Sequence, residues 1–206
     1  NFFTAMGIGR GDTVLLFLRR RYEFWFILPA LHKIGAIAVP ATVQLACHDI
    51  EYRIQSAQIK MVVAVQEKNL QQEIQKAVEA VYKKPMLVWV HDEMDGWISF
   101  EKLSKNMSCE FKAPEGKDYP CGEDTALMYF TSGTSGNPKM VAHNYLYPLG
   151  HIATAKFWQR VKKGGRHLSV AETGWAKAMW GKIYGQWLCG CAVFVYDMDV
   201  FIPRKL

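Results

Sequence analysis

Short continuous apolar runs, separated by segments with helical spacing, constrain the fold of this chain most strongly. The runs TVLLFLR (Thr13–Arg19), MVVAV (Met61–Val65) and MLVWV (Met86–Val90) contain almost no polar residue. Strands of this kind occur in parallel sheets that are covered on both faces. The repeated alternation of strand and helix therefore predicts an α/β fold with a mostly parallel sheet flanked by helices.

The intervening segments show helical periodicity. Apolar residues recur at helical spacing from Phe24 to Ile34, from Ile50 to Ala57 and, most clearly, from Leu70 to Val81. Pro29 is expected to kink or divide the first of these helices. Further elements are predicted at GAIAVP, TALMYFTS, His167 to Val170 and CAVFVYD as strands, at WISFEKL as an ordered segment, and at Tyr145 to Phe157 as a helix.

Composition and charge exclude several classes of protein. The chain has 206 residues, half of them hydrophobic, and a net charge of +6. The basic residues do not form a stripe, so nucleic acid is not expected as a partner, and Arg19–Arg21 are interpreted as solvated charges at a strand end. No apolar run reaches the roughly 18 residues that suggest a membrane span. The sequence gives no indication of the oligomeric state.

The number and spacing of the cysteines indicate the cellular compartment of the protein. The five cysteines are odd in number and contain no CxxC pair, and the chain opens without a secretory signal. These features favour a reducing environment, which predicts a cytoplasmic protein.

The segment YFTSGTSGNPK (Tyr129–Lys139) combines hydroxyls, glycines, a proline and a terminal lysine directly behind an apolar run. Gly133 and Gly136 permit positive φ angles, which would let successive N–H groups converge on an anion. A hydroxyl-rich surface turn is the alternative interpretation. The segment lacks the Gly-Lys-Ser/Thr of the common nucleotide-binding P-loop, and no G-x-G-x-x-G follows any predicted strand.

The segment FTSGTSGNPK resembles the signature phosphate loop of the adenylate-forming superfamily, which includes acyl-CoA synthetases, adenylation domains of peptide synthetases and luciferases. The resemblance extends over nearly the whole chain, through LHKIGAIAVPATVQL, DIEYRIQSAQIKMVVA and AETGWAKAMWGKIYGQWLCGCAVFVYD. PATVQL, PKMVAHNY and ETGWAKAMWG are most similar to the medium-chain acyl-CoA synthetase branch, with acetyl-CoA synthetase-like enzymes as further relatives.

The resemblance implies a reaction and a set of site residues. Members of this superfamily convert a carboxylic acid and ATP to an acyl-adenylate, with Mg²⁺, and a thiol, usually coenzyme A, then displaces AMP. By this resemblance, contacts to the β- and γ-phosphates are expected from Thr131, Ser132, Gly133, Thr134, Ser135, Gly136 and Lys139. The acyl pocket is expected to include Trp175 and, with less support, Trp180, although a buried tryptophan more often fills a core. No catalytic residue or metal ligand is expected within residues 1–206, and the six histidines show no metal-ligand spacing.

The resemblance also implies a domain organisation. Residues 1–206 are expected to be part of an N-terminal AMP-binding domain, with a candidate subdomain break near 91–124. The remainder of that domain and a mobile C-terminal domain would lie outside the chain, so the fragment alone is expected to be inactive. Two alternatives remain open: an adenylation enzyme that loads a carrier protein, and a non-catalytic nucleotide-binding module.

Overall fold

The core of the protein is a mostly parallel β-sheet, seen in a computed structural model that describes residues 1–133, 136–198, 202 and 204. Within these residues the sheet has seven strands: β1 Thr13–Phe17, β2 Ile37–Pro40, β3 Met61–Val65, β4 Met86–Val90, β5 Ile98–Ser99, β6 Thr125–Gly133 and β7 Gly136–Asn144. Their order across the sheet is β5-β4-β3-β1-β2-β6-β7, and all neighbours run parallel except β6 and β7. The predicted fold class is confirmed.

The helices cover both faces of the sheet, as the apolar runs predicted. The α-helices are α1 Phe2–Ala5, α2 Phe24–Lys33, α3 Cys47–Ser56, α4 Leu70–Ala80, α5 Phe100–Ser104, α6 Tyr147–Ala153 and α7 Tyr184–Leu188. A 3₁₀ turn spans Gly116–Asp118, and π-helical turns span Thr154–Trp158 and Met179–Ile183.

Side chains of alternate strand residues enter two separate hydrophobic clusters. On β3, Met61, Val63 and Val65 pack in the cluster that contains α2, whereas Val62 and Ala64 pack in the cluster that contains α3 and α4. Every residue of β1 and β3 is buried. Burial of both faces explains why these strands are apolar without interruption.

Pro29 does not divide α2, which runs from Phe24 to Lys33 as one helix. Of the two predicted effects, a kink or a division of the helix, the division does not occur. Proline removes one main-chain hydrogen bond from a helix interior. The apolar face of α2, which includes the fully buried Phe24 and Leu31, packs against the sheet and holds the helix together despite that loss.

Three predictions from the second half of the chain need correction. Within the described residues, the segment predicted as a loop continues β6 to Gly133 and pairs back from Gly136 as β7, an antiparallel strand. The predicted strands near His167–Val170 and at CAVFVYD are reduced to β8 Arg166–His167 and β9 Ala192–Val193, which form a separate parallel pair. Few main-chain partners are available to such a small sheet, so its strands end after two residues.

The three consecutive arginines after β1 each bind a specific acceptor, in contrast to the prediction of solvated charges. Arg19 forms an ion pair with Glu67 (2.8 Å). The Arg20 Nε donates to the carbonyl oxygen of Val170 (3.1 Å). Arg21 binds Glu23 through two hydrogen bonds of 2.7 and 3.1 Å. The hydrogen bond from Arg20 connects the segment that follows β8 to the chain just after β1.

Of the helices that the structure describes, none combines the length and the apolar character that crossing a bilayer requires.

His32, at the end of α2, links that helix to α7. Its Nε2 lies 2.8 Å from the Tyr184 hydroxyl, and Tyr145 donates a hydrogen bond to the His32 carbonyl oxygen (2.9 Å). Burial lowers the pKa of His32 to about 4 from its ordinary value of 6.5. The imidazole is therefore neutral in the folded protein over a pH range in which the unfolded chain binds a proton.

We expect His32 to make folding stability rise with pH between about 4 and 6.5, because the unfolded state binds the extra proton there. The contribution is at most about 1.4 kcal/mol per pH unit. Urea unfolding at several pH values should show that His32→Gln flattens this slope. His48→Gln is the matched control, since the His48 side chain is 82% exposed. Identical slopes for wild type and His32→Gln would contradict the assignment.

Candidate functional site

The described members of the predicted phosphate-binding set lie at the end of β6 and the start of β7, two strands that pair as an antiparallel hairpin. Thr131 pairs with Lys139, and Gly133 pairs with Gly136. Thr134 and Ser135, which were also predicted to bind phosphate, lie outside the described residues. Because β6 runs parallel to β2 and β1, the residues that end β6 lie at the carboxyl end of the sheet, where open α/β folds bind their ligands.

The strand ladder is irregular just below the turn. Between the pairs Thr131–Lys139 and Gly133–Gly136, two residues on β7, Asn137 and Pro138, oppose the single residue Ser132. This is the arrangement of a β-bulge, and proline is tolerated in strands at such sites. Gly136 has a φ of +107°, a conformation that L side chains rarely adopt. Such local irregularity can direct main-chain N–H groups away from the ladder and toward a ligand.

The polar side chains of the turn are accessible. Thr131, Ser132 and Lys139 are exposed, and Thr131 Oγ1 is at the limit of hydrogen-bonding distance from the Lys139 carbonyl oxygen (3.5 Å). Two hydroxyls and one ammonium are therefore available on the surface that this turn presents.

Tyr129, two residues before Thr131, connects the hairpin to the segment that carries Trp175. Its side chain is 4% exposed, and its hydroxyl donates to the Thr173 carbonyl oxygen (3.2 Å). Burial raises the pKa of this tyrosine well above its ordinary value, so the hydroxyl keeps its proton and acts as a donor.

Gly174 brings the Trp175 segment into direct contact with the chain after β2. A Cβ atom at position 174 would lie 2.4 Å from the Ala41 carbonyl carbon and 2.4 Å from the Thr42 nitrogen. Thr42 also donates a hydrogen bond to the Glu172 carboxylate (3.2 Å). Only glycine permits this approach, which places Trp175 at the carboxyl end of β2.

A cavity of about 500 Å³ lies between the hairpin and the Trp175 segment. It is lined by Pro40, Ala41, Thr42, Leu45, Arg53, Tyr129, Phe130, Thr131, Ser132, Pro138, Gly174, Trp175 and Ala176. Its volume is that of a typical small-molecule site, and its mainly apolar wall also carries a few polar groups. The structure thus brings the predicted phosphate residues Thr131 and Ser132 together with the predicted acyl-pocket residue Trp175.

Trp180 lies in a different environment. Its ring stacks on that of Trp158, with centroids 5.5 Å apart and an angle of 26° between the planes. It is not among the described residues that line the cavity. Its assignment to the acyl pocket stays a prediction.

The model of the family described as "AMP-binding enzyme" matches residues 1–205. The chain belongs to this family. The mouse (Mus musculus) acyl-coenzyme A synthetase ACSM4, mitochondrial, is 33% identical over 208 residues, covering 95% of this chain and 34% of the relative. The human (Homo sapiens) acyl-coenzyme A synthetase ACSM3, mitochondrial, is 30% identical, covering 98% of this chain and 34% of the relative. The chain therefore spans about a third of the length of these relatives.

Two solved structures share the fold of this chain. The anthranilate CoA ligase AuaEII, determined in complex with anthranoyl-AMP, superposes with a TM-score of 0.84 at 20% identity, over 95% of this chain and 37% of the ligase. An acyl-CoA synthetase of Brucella canis gives a TM-score of 0.77 at 23% identity, over 95% of this chain and 34% of the synthetase.

Two buried cations, Arg53 and Lys182, were not found by sequence reasoning. Arg53 of α3 is 8% exposed, its guanidinium lies 4.9 Å from the Phe130 ring centroid, and Nη1 donates to the Asp49 carbonyl oxygen (2.8 Å). Burial lowers the pKa of Arg53 despite the nearby Asp49 carboxylate. The i, i+4 spacing of Asp49 and Arg53 was the one signal in the sequence.

Lys182 is the second buried cation, at 3% exposure. Its Nζ donates to the carbonyl oxygens of Ala171 (2.8 Å) and Ser169 (3.3 Å), directly before the Trp175 segment. Burial lowers the pKa of this lysine to about 8. Lys182 therefore supports the path of the main chain that leads to the cavity.

His143, a residue of β7 and the histidine nearest to Lys139 in sequence, is engaged in packing. The His143 ring stacks on Tyr147 with centroids 4.0 Å apart, and burial lowers its pKa. No group of three or more His, Cys, Asp or Glu side chains in the described part of the chain is arranged to hold a metal ion.

Gly174→Ala should destabilise the protein by about 1–3 kcal/mol, because its methyl group would overlap main-chain atoms of Ala41 and Thr42 that cannot rotate away. Gly150→Ala is the matched control: Gly150 lies in α6, and a methyl group added there would have no atom within 4 Å, so alanine should be neutral or stabilising. Urea unfolding compares the two variants. Equal stability would show that the close contact at Gly174 is unimportant.

Proposed function

We propose that the protein, in its full length, is an acid–thiol ligase that activates a carboxylic acid with ATP and transfers the acyl group to coenzyme A. Family membership and the acyl-CoA synthetase relatives support this class of reaction. The observation that carries the proposal is the cavity shared by Thr131 and Ser132 of the hairpin and by Trp175. This chemistry requires the binding site for the ATP phosphates to lie next to an apolar site for the acid. Thr131 and Ser132, proposed for the phosphates, and Trp175, proposed for the acid, line the same cavity.

In this proposal the β6–β7 turn binds the β- and γ-phosphates of ATP. Main-chain N–H groups near Gly136, the hydroxyls of Thr131 and Ser132, and the ammonium of Lys139 would be the donors, together with Gly133, Thr134 and Ser135. Donors held in place before the reaction stabilise charge that develops on the leaving pyrophosphate without reorganisation. They also hold the phosphates in line for attack.

The acid would lie along the apolar wall that includes Trp175. A carboxylate oxygen attacks the α-phosphorus of ATP; the new oxygen–phosphorus bond gives the acyl-adenylate, and the bond to pyrophosphate breaks. The sulfur of coenzyme A then attacks the acyl carbon, loses its proton to the surrounding medium and releases AMP. Both anionic reactants must approach each other, so cationic groups such as Lys139 and the buried Arg53 would reduce their repulsion.

Mg²⁺ is expected to accompany the phosphates of ATP, where it would reduce their negative charge. Within the described residues no cluster of ligating side chains suits this ion, so we derive no step through it. We further propose that residues 1–206 form part of an N-terminal AMP-binding domain with a subdomain break near 91–124. The rest of that domain and a mobile C-terminal domain would complete the active site, so that the fragment alone is inactive.

The cytoplasmic location stays a prediction. The five cysteines are free thiols, as a reducing compartment requires, whereas the relatives ACSM4 and ACSM3 are named as mitochondrial proteins.

The full-length protein should release pyrophosphate with a subset of carboxylic acids and form acyl-CoA from free coenzyme A. A panel of short, medium-chain, branched and aromatic acids tests both steps. Pyrophosphate release without acyl-CoA formation would favour transfer to a carrier protein. Absence of both would favour a non-catalytic nucleotide-binding module.

Lys139→Ala should lower the rate of pyrophosphate release by roughly 100- to 1,000-fold, the scale seen when one preorganised donor is removed. Lys84→Ala serves as the control, because Lys84 is an exposed lysine in the turn before β4. Unchanged activity of Lys139→Ala would count against the assignment of the hairpin to ATP.

Trp175→Leu should raise the KM for the acid several-fold while leaving the KM for ATP nearly unchanged, because Trp175 lines the cavity. Trp180→Leu is the comparison, since its ring stacks on Trp158 instead. Steady-state kinetics with the preferred acid decide between the two candidates. A larger effect on acid binding from Trp180→Leu would reverse their assignment.

A further inference from the structure

A tyrosine of α3 contacts the hairpin from outside the cavity. The Tyr52 hydroxyl donates a hydrogen bond to the carbonyl oxygen of Pro138 (3.1 Å) on β7. The Tyr52 ring also packs edge-to-face on Phe130 of β6, with centroids 6.0 Å apart. One side chain therefore contacts both strands of the hairpin just below its turn.

The Pro138 carbonyl oxygen, which accepts this hydrogen bond, lies where the regular pairing between β6 and β7 is interrupted. Pro138 lies in the bulge opposite Ser132, and proline has no N–H with which to pair. A bulge leaves the extra residue outside the regular strand pairing. The hydrogen bond from Tyr52 thus supplies an external constraint at the position adjacent to Lys139.

The helix that carries Tyr52 is itself firmly held. Its first residue, Cys47, donates its main-chain N–H to the Glu73 carboxylate of α4 (2.7 Å). The next residue after Tyr52, the buried Arg53, places its guanidinium 4.9 Å from the Phe130 ring centroid. Ile50 and Ile54 of the same helix are buried in the core. The Tyr52 hydroxyl is therefore presented from a fixed element.

We propose that Tyr52 is a positioning residue for the phosphate hairpin, holding Pro138 so that Gly136 and Lys139 face the β- and γ-phosphates of ATP. The inference rests on the proposed function and deepens it. The Tyr52 hydroxyl donates its proton to the hydrogen bond with the Pro138 carbonyl oxygen, so Tyr52 acts on the phosphates only through Pro138. Loss of the Tyr52 hydroxyl should impair the reaction steps that need the β- and γ-phosphates in place and leave the other steps nearly unchanged.

Two half-reactions of the full-length enzyme separate this role from a general structural one. ATP–pyrophosphate exchange needs the β- and γ-phosphates in place, whereas thioester formation from supplied acyl-adenylate and coenzyme A does not. Tyr52→Phe removes only the hydroxyl. It should raise the KM for ATP in the exchange reaction by about five-fold, the effect of losing one hydrogen bond. Thioester formation from acyl-adenylate should stay within two-fold of wild type.

Tyr82→Phe is the matched control, because Tyr82 is fully exposed and should tolerate loss of its hydroxyl in both assays. Thermal unfolding of each variant verifies that the fold is retained. An unchanged KM for ATP in Tyr52→Phe, or an equal loss in both half-reactions, would overturn the positioning role. If wild-type enzyme shows no exchange with any acid, the proposed function itself fails, and this inference fails with it.

Discussion

The hydrogen bonds of one buried threonine hold the candidate site together. Thr173 is 1% exposed, and both its main-chain N–H and its hydroxyl donate to the Arg19 carbonyl oxygen at the end of β1. Its own carbonyl oxygen accepts from Tyr129 of β6. An unpaired polar group in such a place would be costly, and here each group has a partner. Thr173 thereby fixes the Trp175 segment relative to both the sheet and the hairpin.

Two positively charged side chains, Arg53 and Lys182, are buried at or near the candidate site. Burial of Arg53 and Lys182 carries a desolvation penalty, which is expressed in the lowered pKa values of both groups. Carbonyl oxygens of Asp49, Ala171 and Ser169 offset part of it. Under the proposed function, a bound polyanion would offset more, so that ligand binding and local stability would be coupled.

The strands that the sequence predicted correctly are those whose residue pattern is set by burial in the core. The strands Met61–Val65 and Met86–Val90 coincide with their apolar runs because both faces of the sheet are covered. β7 was missed because it is an exposed edge strand that contains glycine, proline and lysine, and main-chain pairing leaves no periodic signal in such a strand. The contact of Tyr52 with Pro138 joins residues 86 positions apart, and no local pattern encodes it.

The candidate site was predicted from a family resemblance more than from residue chemistry. Glycines and hydroxyls near Gly136 suggested an anion site, but a surface turn fitted the same residues. The cavity that unites Thr131 and Trp175 depends on the approach of Gly174 to Ala41 and Thr42, which requires the folded backbone. Spacing along the chain could not reveal it.

The bulge in β7 has a consequence for the behaviour of the molecule in concentrated solution. Among the described residues β7 is the last strand of the sheet, and a flat edge strand offers main-chain groups to which a neighbouring molecule can add a strand. Strand addition of this kind is hindered near the turn by the bulge, by Pro138 and by the exposed Lys139. The irregularity beside the candidate site thus also discourages edge-to-edge aggregation.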